Sequence, residues 1–167
     1  MGDAAALVEP MASAKSLKLV VNLMGEDQSI QTDGTKLRQM LVNLLSNGIK
    51  FTDKGEVDLG CSVSNGVLEV SIADTGVGIA AENIEYVFEP FWQAEQMATR
   101  KTGGTGLGLS VTRKLARLLG GDVTVASRIG AGTTFVLTLP MKAPSGETVR
   151  RRDTPTTPTN PVYALKI

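Results

Sequence analysis

Asn43, Asn47 and Lys50 recur at i, i+4 and i+7 in the segment "TDGTKLRQMLVNLLSNGIKF", a spacing that puts all three on one side of an α-helix. Amide carbonyl oxygens are neutral hard ligands suited to a Mg²⁺ ion that already carries phosphate oxygens, and an ammonium group beside them supplies a point charge for the phosphates. A solvated helix face has the same composition. Asp74 leads into the turn "DTGVGI", where a carboxylate can accept from an amino group while Gly76 and Gly78 let a flat ring approach the backbone. Asp-Thr-Gly also occurs in tight turns and in aspartic proteases. The protease reading needs a second such Asp, in another copy of the motif or in a dimer partner, and the glycine-rich segments that follow give it no support. The third stretch, "GGTGLG", lacks the G-x-G-x-x-G spacing of a dinucleotide site, and Leu109 stands where a P-loop needs lysine. What remains is a glycine-rich loop leading into a helix, whose backbone N–H groups and positive end can hold an anion, or else a plain flexible surface loop.

Helices and hairpins must position these groups. Leu37, Met40, Leu41, Leu44 and Leu45 keep helical spacing on the side away from the two asparagines, with Asp33 or Thr35 available as a cap. "EVDLGCSV" and "VLEVSIAD" alternate apolar and polar residues around "SNG", the pattern of a β-hairpin. Leu109, Leu115, Leu118 and Leu119 mark a second helix ending at Gly120-Gly121, with Arg113, Lys114 and Arg117 toward its negative end. "DVTVAS" and "TTFVLTL" form a second hairpin. Helices interleaved with hairpins imply a mixed or antiparallel sheet covered by helices on one face.

At 167 residues the chain holds one domain with a real core, and its 17 basic and 17 acidic residues give no overall bias toward nucleic acid or an anionic membrane. No apolar run approaches the ~20 residues of a membrane helix, and the expected compartment is the cytoplasm. Cys61, the single cysteine, falls in an alternating apolar stretch and is expected to be a strand residue. The absence of histidine excludes Ser/His/Asp and Cys/His catalysis and histidine-ligated metals from this chain.

In order, an Asn/Asn/Lys helix, D-x-G-x-G, the aromatic "FEPFW" and G-x-G-x-G running into a helix resemble the catalytic ATP-binding domain of sensor histidine kinases. That domain belongs to a wider ATPase superfamily with gyrase and the ninety-kilodalton heat-shock chaperones, and the resemblance spans about Leu19 to Pro140. It implies an α+β fold: a two-layer α/β sandwich in which a mixed, mostly antiparallel sheet packs against three helices, the Bergerat ATP-binding fold. The implied cofactors are ATP and Mg²⁺. "NLLSNGIKF" matches the N box, so Asn43 and Asn47 would lie at the Mg²⁺–phosphate end, Asn47 as the direct ligand, and Lys50 on the phosphates. "DTGVGI" matches the first glycine box, in which Asp74 would bond the adenine amino group while Gly76, Gly78 and Ile79 shape the base pocket. Phe88 and Phe91 bound the F box. The mobile lid "WQAEQMATRKT" follows, where Arg100 and Lys101 could reach the phosphates. Thr102, Gly103, Gly104, Thr105, Gly106, Leu107, Gly108 and Leu109 cover the second glycine box and its approach, and Thr133 sits where the family often has a residue near the adenine.

Hydrolysing relatives carry a Glu four residues before the Mg²⁺-binding Asn, and that position here is Asn43, an amide that cannot act as a general base. The resemblance therefore favours phosphoryl transfer to a protein histidine over hydrolysis, with catalysis by positioning and charge stabilisation. The acceptor histidine would lie on a separate dimerisation domain, so self-phosphorylation of this chain is not expected. A response regulator or receiver domain would act downstream, and neither nucleic acid nor membrane insertion is expected. The isolated domain is expected to be monomeric. Residues 1–16 are expected to be linker and 17–142 the catalytic domain. Residues 143–161 form a Pro/Thr-rich linker, and 162–167 suggest the truncated start of a receiver domain, with a peptide docked on the body as the alternative. A non-catalytic ATP/ADP sensor and a gyrase-like hydrolysing clamp are the competing functions.

Overall fold

The computed structural model describes residues 1–23, 29–93, 105–141 and 163–166. Its elements are α1 (Gly2–Ala14), β1 (Lys18–Leu23), β2 (Ser29–Thr32), α2 (Gly34–Phe51), β3 (Glu56–Ser64), β4 (Val67–Asp74), α3 (Gly108–Leu118), β5 (Asp122–Arg128), β6 (Gly132–Pro140) and β7 (Tyr163–Lys166). Five strands form one sheet in the order β1-β3-β4-β6-β5, parallel only between β1 and β3. The three helices pack on it as the second layer, which is the expected α+β sandwich. The strand β7 pairs antiparallel with β2, outside the five-stranded sheet.

Alternation along the strands sends one set of side chains under the helices. Cys61, Val70, Leu137 and Val123 are aligned across β3, β4, β6 and β5, and all are buried. Cys61 is thus the strand residue its pattern implied. The facing helix α2 contributes Leu37, Met40, Leu41, Leu44, Leu45 and Ile49, none more than 1% exposed. At about 1.5–3 kcal/mol for each such side chain, this face contributes more to the core than any other helix face. Asp33 caps α2, accepting from Thr35 and Lys36 N–H at 3.1 and 3.0 Å.

At the other end of α2, the Lys15 Nζ donates to the carbonyls of Ile49, Lys50 and Thr52 at 2.9, 2.7 and 3.0 Å. A cation there satisfies carbonyls that have no partner inside the helix and suits the negative end of its dipole. Lys15 follows α1, which occupies most of the segment expected as a linker over residues 1–16. It is a 13-residue helix whose Ala4, Ala5, Val8 and Ala12 join the core. Alanine carries little hydrophobic contrast, and Pro10 lies inside the helix, so the segment shows no amphipathic pattern despite being packed.

The second charged anchor ties α3 to β5. Asp122 accepts from Arg113 Nε at 2.9 Å and Arg117 Nε at 3.2 Å, and also from the Val123 N–H at 2.8 Å. Arg113 above all, then Arg117, holds the Asp122 carboxyl well below the usual carboxylate range, against an opposing contribution from burial. A lowered pKa in the fold means stabilisation that is complete above the unfolded value and is lost as the solution is acidified. Asp122→Asn is expected to destabilise the domain by about 1 kcal/mol at neutral pH, a modest figure because the side chain is 37% exposed and screened by solvent. Thermal melts at pH 7 should show a drop of about 2–4 °C, and the gap between variant and wild type should close as the pH falls below the ordinary carboxylate range.

Candidate functional site

The candidate residues occupy two walls, one on α2 and one beyond the end of β4. The first is the polar side of α2. Asn43 Nδ2 reaches across to α3, donating to the Gly108 carbonyl at 3.5 Å and to Thr112 Oγ1 at 3.3 Å, while Thr112 Oγ1 itself donates to the Gly108 carbonyl at 2.8 Å. A Cβ on Gly108 would sit 4.0 Å from Asn43 Cγ, so the two segments meet face to face. The amide nitrogen of Asn43 is committed to α3, and its oxygen accepts no hydrogen bond among the described residues. Asn47, one turn on, is half-buried and enters no side-chain hydrogen bond among them. The Lys50 ammonium lies 4.8 Å from the centroid of the adjacent Phe51 ring.

The second wall begins where β4 ends. Asp74 is paired with Thr133 across β4 and β6, and its Oδ1 accepts from the Gly76 N–H at 2.8 Å. A Cβ on Gly76 would lie 2.3 Å from the Phe51 carbonyl and 2.8 Å from Asp74 Oδ1, so no side chain fits there. Gly78 has φ +74° and its Cβ would meet the Arg128 carbonyl at 2.1 Å. The loop is stapled to the β5–β6 hairpin: Ile79 N–H donates to Ser127 Oγ at 2.8 Å, Ser127 Oγ donates to the Gly132 carbonyl at 2.8 Å, and the Ser127 and Thr133 hydroxyls lie 2.9 Å apart. Burial pushes the Asp74 carboxyl upward. The Gly76 and Thr133 backbone N–H groups oppose that shift, followed by the Thr52 hydroxyl.

The aromatic segment and the second glycine stretch meet each other through their backbones. Phe88 meets Phe135 edge to face at 6.3 Å and 81°, and the Arg113 guanidinium stacks over its other side, 4.6 Å from the ring centroid. Phe88 is therefore anchored to the body. Phe91, by contrast, is 72% exposed at φ 65°. Its N–H donates to the Gly106 carbonyl at 3.0 Å, forming a neck between the aromatic segment and α3. Gly106 has φ +68°, and a Cβ there would come within 2.8 Å of the Phe91 backbone. Among the described residues no side chain caps α3 at Leu107, which leaves its first N–H groups able to receive an anion. Thr105, Gly106, Leu107, Gly108 and Leu109 are placed here; Arg100, Lys101, Thr102, Gly103 and Gly104 lie outside the described residues.

The structure thus brings Asn43 to Gly108, with Asn47 one helical turn further along α2, and gathers Asp74, Gly76, Gly78, Ile79 and Thr133 around the end of β4. Sequence reasoning missed Ser127 and Thr52. Ser127 carries no motif, and only the β5–β6 register brings it to the Asp74 loop. Thr52 follows the Asn/Asn/Lys helix as its C-terminal cap, and its burial was the one signal that could have singled it out.

The model of the family described as histidine kinase-, DNA gyrase B-, and HSP90-like ATPase matches residues 32–143. The chain is 43% identical over 143 residues to the autoinducer 2 sensor kinase/phosphatase LuxQ of Vibrio parahaemolyticus, covering 81% of this chain and 17% of that protein. It therefore spans about a sixth of the length of that relative. Among solved structures, full-length ShkA in complex with AMPPNP superimposes with a TM-score of 0.74 at 34% identity, covering 83% of this chain and 28% of that one. The histidine kinase ThkA in complex with the response regulator TrrA gives 0.69 at 25% identity, covering 84% and 39%. Among the described residues, no helix is long and apolar enough to cross a membrane.

Proposed function

The chain belongs to the histidine kinase-, DNA gyrase B-, and HSP90-like ATPase family, among relatives that are sensor histidine kinases, and from that premise we propose that it transfers the γ-phosphoryl group of ATP to a histidine on a separate dimerisation domain. The observation that carries this reading is the Asn43 amide set against the start of α3, a helix end with no side-chain cap among the described residues, together with a half-buried carboxylate backed by Gly76. The carboxylate end suits the amino edge and flat face of adenine, and the helix end suits the phosphates.

A Mg²⁺ ion fits this donor set. The Asn47 carbonyl and the uncommitted oxygen of Asn43 are neutral hard ligands, with Asn47 the freer of the two. Held by these oxygens, the metal would supply positive charge to the phosphates. The chain's own work is positional. Asp74 and Gly76 orient the base, the α3 N–H groups receive phosphate oxygens, and Lys50, with Arg100 and Lys101 from the lid, adds positive charge. No carboxylate stands at position 43 to activate water, so the phosphoryl group goes to a histidine acceptor rather than to solvent. Residues 17–142 with the packed helix α1 form the catalytic unit in this proposal, cytoplasmic and monomeric when isolated, and 143–161 a linker. A response regulator or receiver domain is the downstream partner, in keeping with the ThkA–TrrA complex.

The test is to mix the chain with a histidine-bearing hairpin from its own parent kinase and γ-labelled ATP. Label should appear on the hairpin and not on this chain, with little steady-state release of phosphate. ATP binding without transfer would favour the sensor function, and brisk hydrolysis by the chain alone would favour a gyrase-like clamp.

A further inference from the structure

Thr52 is wholly buried, and its Oγ1 is the one buried side-chain oxygen without a hydrogen-bond partner among the described residues. A hydroxyl removed from water and left unpaired destabilises the fold that holds it, so its position asks for a reason. Its neighbourhood supplies one. Gly48, one helical turn earlier, faces Asp74, since a Cβ there would lie 3.5 Å from Asp74 Cβ, and residues four apart share a helix face. The adjoining Phe51 carbonyl and Asp74 Oδ1 both close on Gly76. The Thr52 hydroxyl is near enough to favour the Asp74 charge, yet it completes no hydrogen bond of ordinary geometry. Its backbone is held by Lys15 Nζ at 3.0 Å, which limits any swing away from that side.

We infer that Thr52 is a positioning residue for base recognition, its hydroxyl donating to the Asp74 carboxylate when a base seals the pocket. The inference rests on the reading of Asp74 as the adenine-binding group and extends it. A carboxylate offers about four acceptor positions. The Gly76 N–H occupies one of them, the base amino group takes another, and Thr52 is placed beside those that remain. Because Thr52 is 0% exposed, it cannot meet the nucleotide and must act through Asp74. A base covering Asp74 strips its remaining water, so the donor from Thr52 matters most in the bound state.

The test is a double-mutant cycle of Thr52→Val and Asp74→Asn in the full chain, with ATP and ADP affinities from calorimetry and melting curves without nucleotide. Thr52→Val is expected to weaken both nucleotides about three- to ten-fold, the scale of one hydrogen bond, without lowering the melting temperature, while Thr52→Ser restores affinity. On the Asp74→Asn background the same substitution should change little. Thr52→Ala replaces the valine variant if that one does not fold. Wild-type affinity in Thr52→Val alongside weakened Asp74→Asn overturns the role of Thr52 alone, as does an equal loss on both backgrounds. A wild-type chain that binds no adenine nucleotide overturns the base-recognition reading together with this one.

Discussion

Asp74→Asn is expected to lower ATP affinity by roughly 10- to 100-fold, the range of a charge-assisted hydrogen bond worth about 1.5–3 kcal/mol. The Gly76 N–H holds one oxygen of this side chain at 2.8 Å. With asparagine, that hydrogen bond keeps the amide oxygen, and the NH₂ group is turned toward the amino group of the base, donor against donor. The same change should leave the nucleotide-free domain as stable as wild type or more so, because burial disfavours the ionised aspartate. The pH dependence separates the two effects. Base binding needs the carboxylate, and burial raises its pKa above the ordinary 3.8, so wild-type affinity should begin to fall at a higher pH than a free aspartate would dictate. The fold itself responds in the opposite sense: across the interval between the unfolded and the raised folded pKa, the native state binds more protons than the unfolded one, and Asp74 costs stability as pH rises through it. Asp74→Asn should flatten both dependences. Titration of ATP binding across the acid range checks this, and unchanged affinity with intact preference for adenine over guanine would remove Asp74 from the site.

The N-box helix was legible because two periodicities coincide on it. Leucines repeat on one side and Asn43, Asn47 and Lys50 on the other, and the structure buries the first set and leaves the second half-exposed. The hairpins were legible from alternation and from Asn65-Gly66, whose φ values of 51° and 73° suit a tight turn. Periodicity does not report contacts between distant segments. The Asn43 amide donating to α3, Ser127 stapling the Asp74 loop and Arg113 stacking on Phe88 each join groups 25 to 69 residues apart, and nothing local marks them. Helix α1 was missed for a different reason: its buried face is mostly alanine, which packs closely without raising the hydrophobic contrast that separates a helix from a linker.

Asn47→Asp is expected to reduce phosphoryl transfer by about 30- to 1,000-fold while sparing the fold. Asn47 enters no side-chain hydrogen bond among the described residues, so the substitution breaks no contact there, and a half-exposed carboxylate on α2 carries little penalty. In the proposed site the new charge would face the triphosphate of bound ATP. A unit charge about 4 Å from another, at an effective dielectric near 20, interacts by about 4 kcal/mol. A bound metal would offset part of this, leaving about 2–4 kcal/mol against the transition state, in which charge on the transferred group must be stabilised. Asn43→Asp provides the contrast. Its amide donates to the Gly108 carbonyl and Thr112 Oγ1; a carboxylate would lose those donors and press its charge on the Gly108 oxygen. That variant should therefore melt lower as well as transfer poorly. Single-turnover transfer to the histidine-bearing hairpin at saturating ATP, paired with melting curves, separates the two asparagines: Asn47 as a metal–phosphate ligand predicts lost transfer with an unchanged melt, and transfer at the wild-type rate would take Asn47 out of the chemistry.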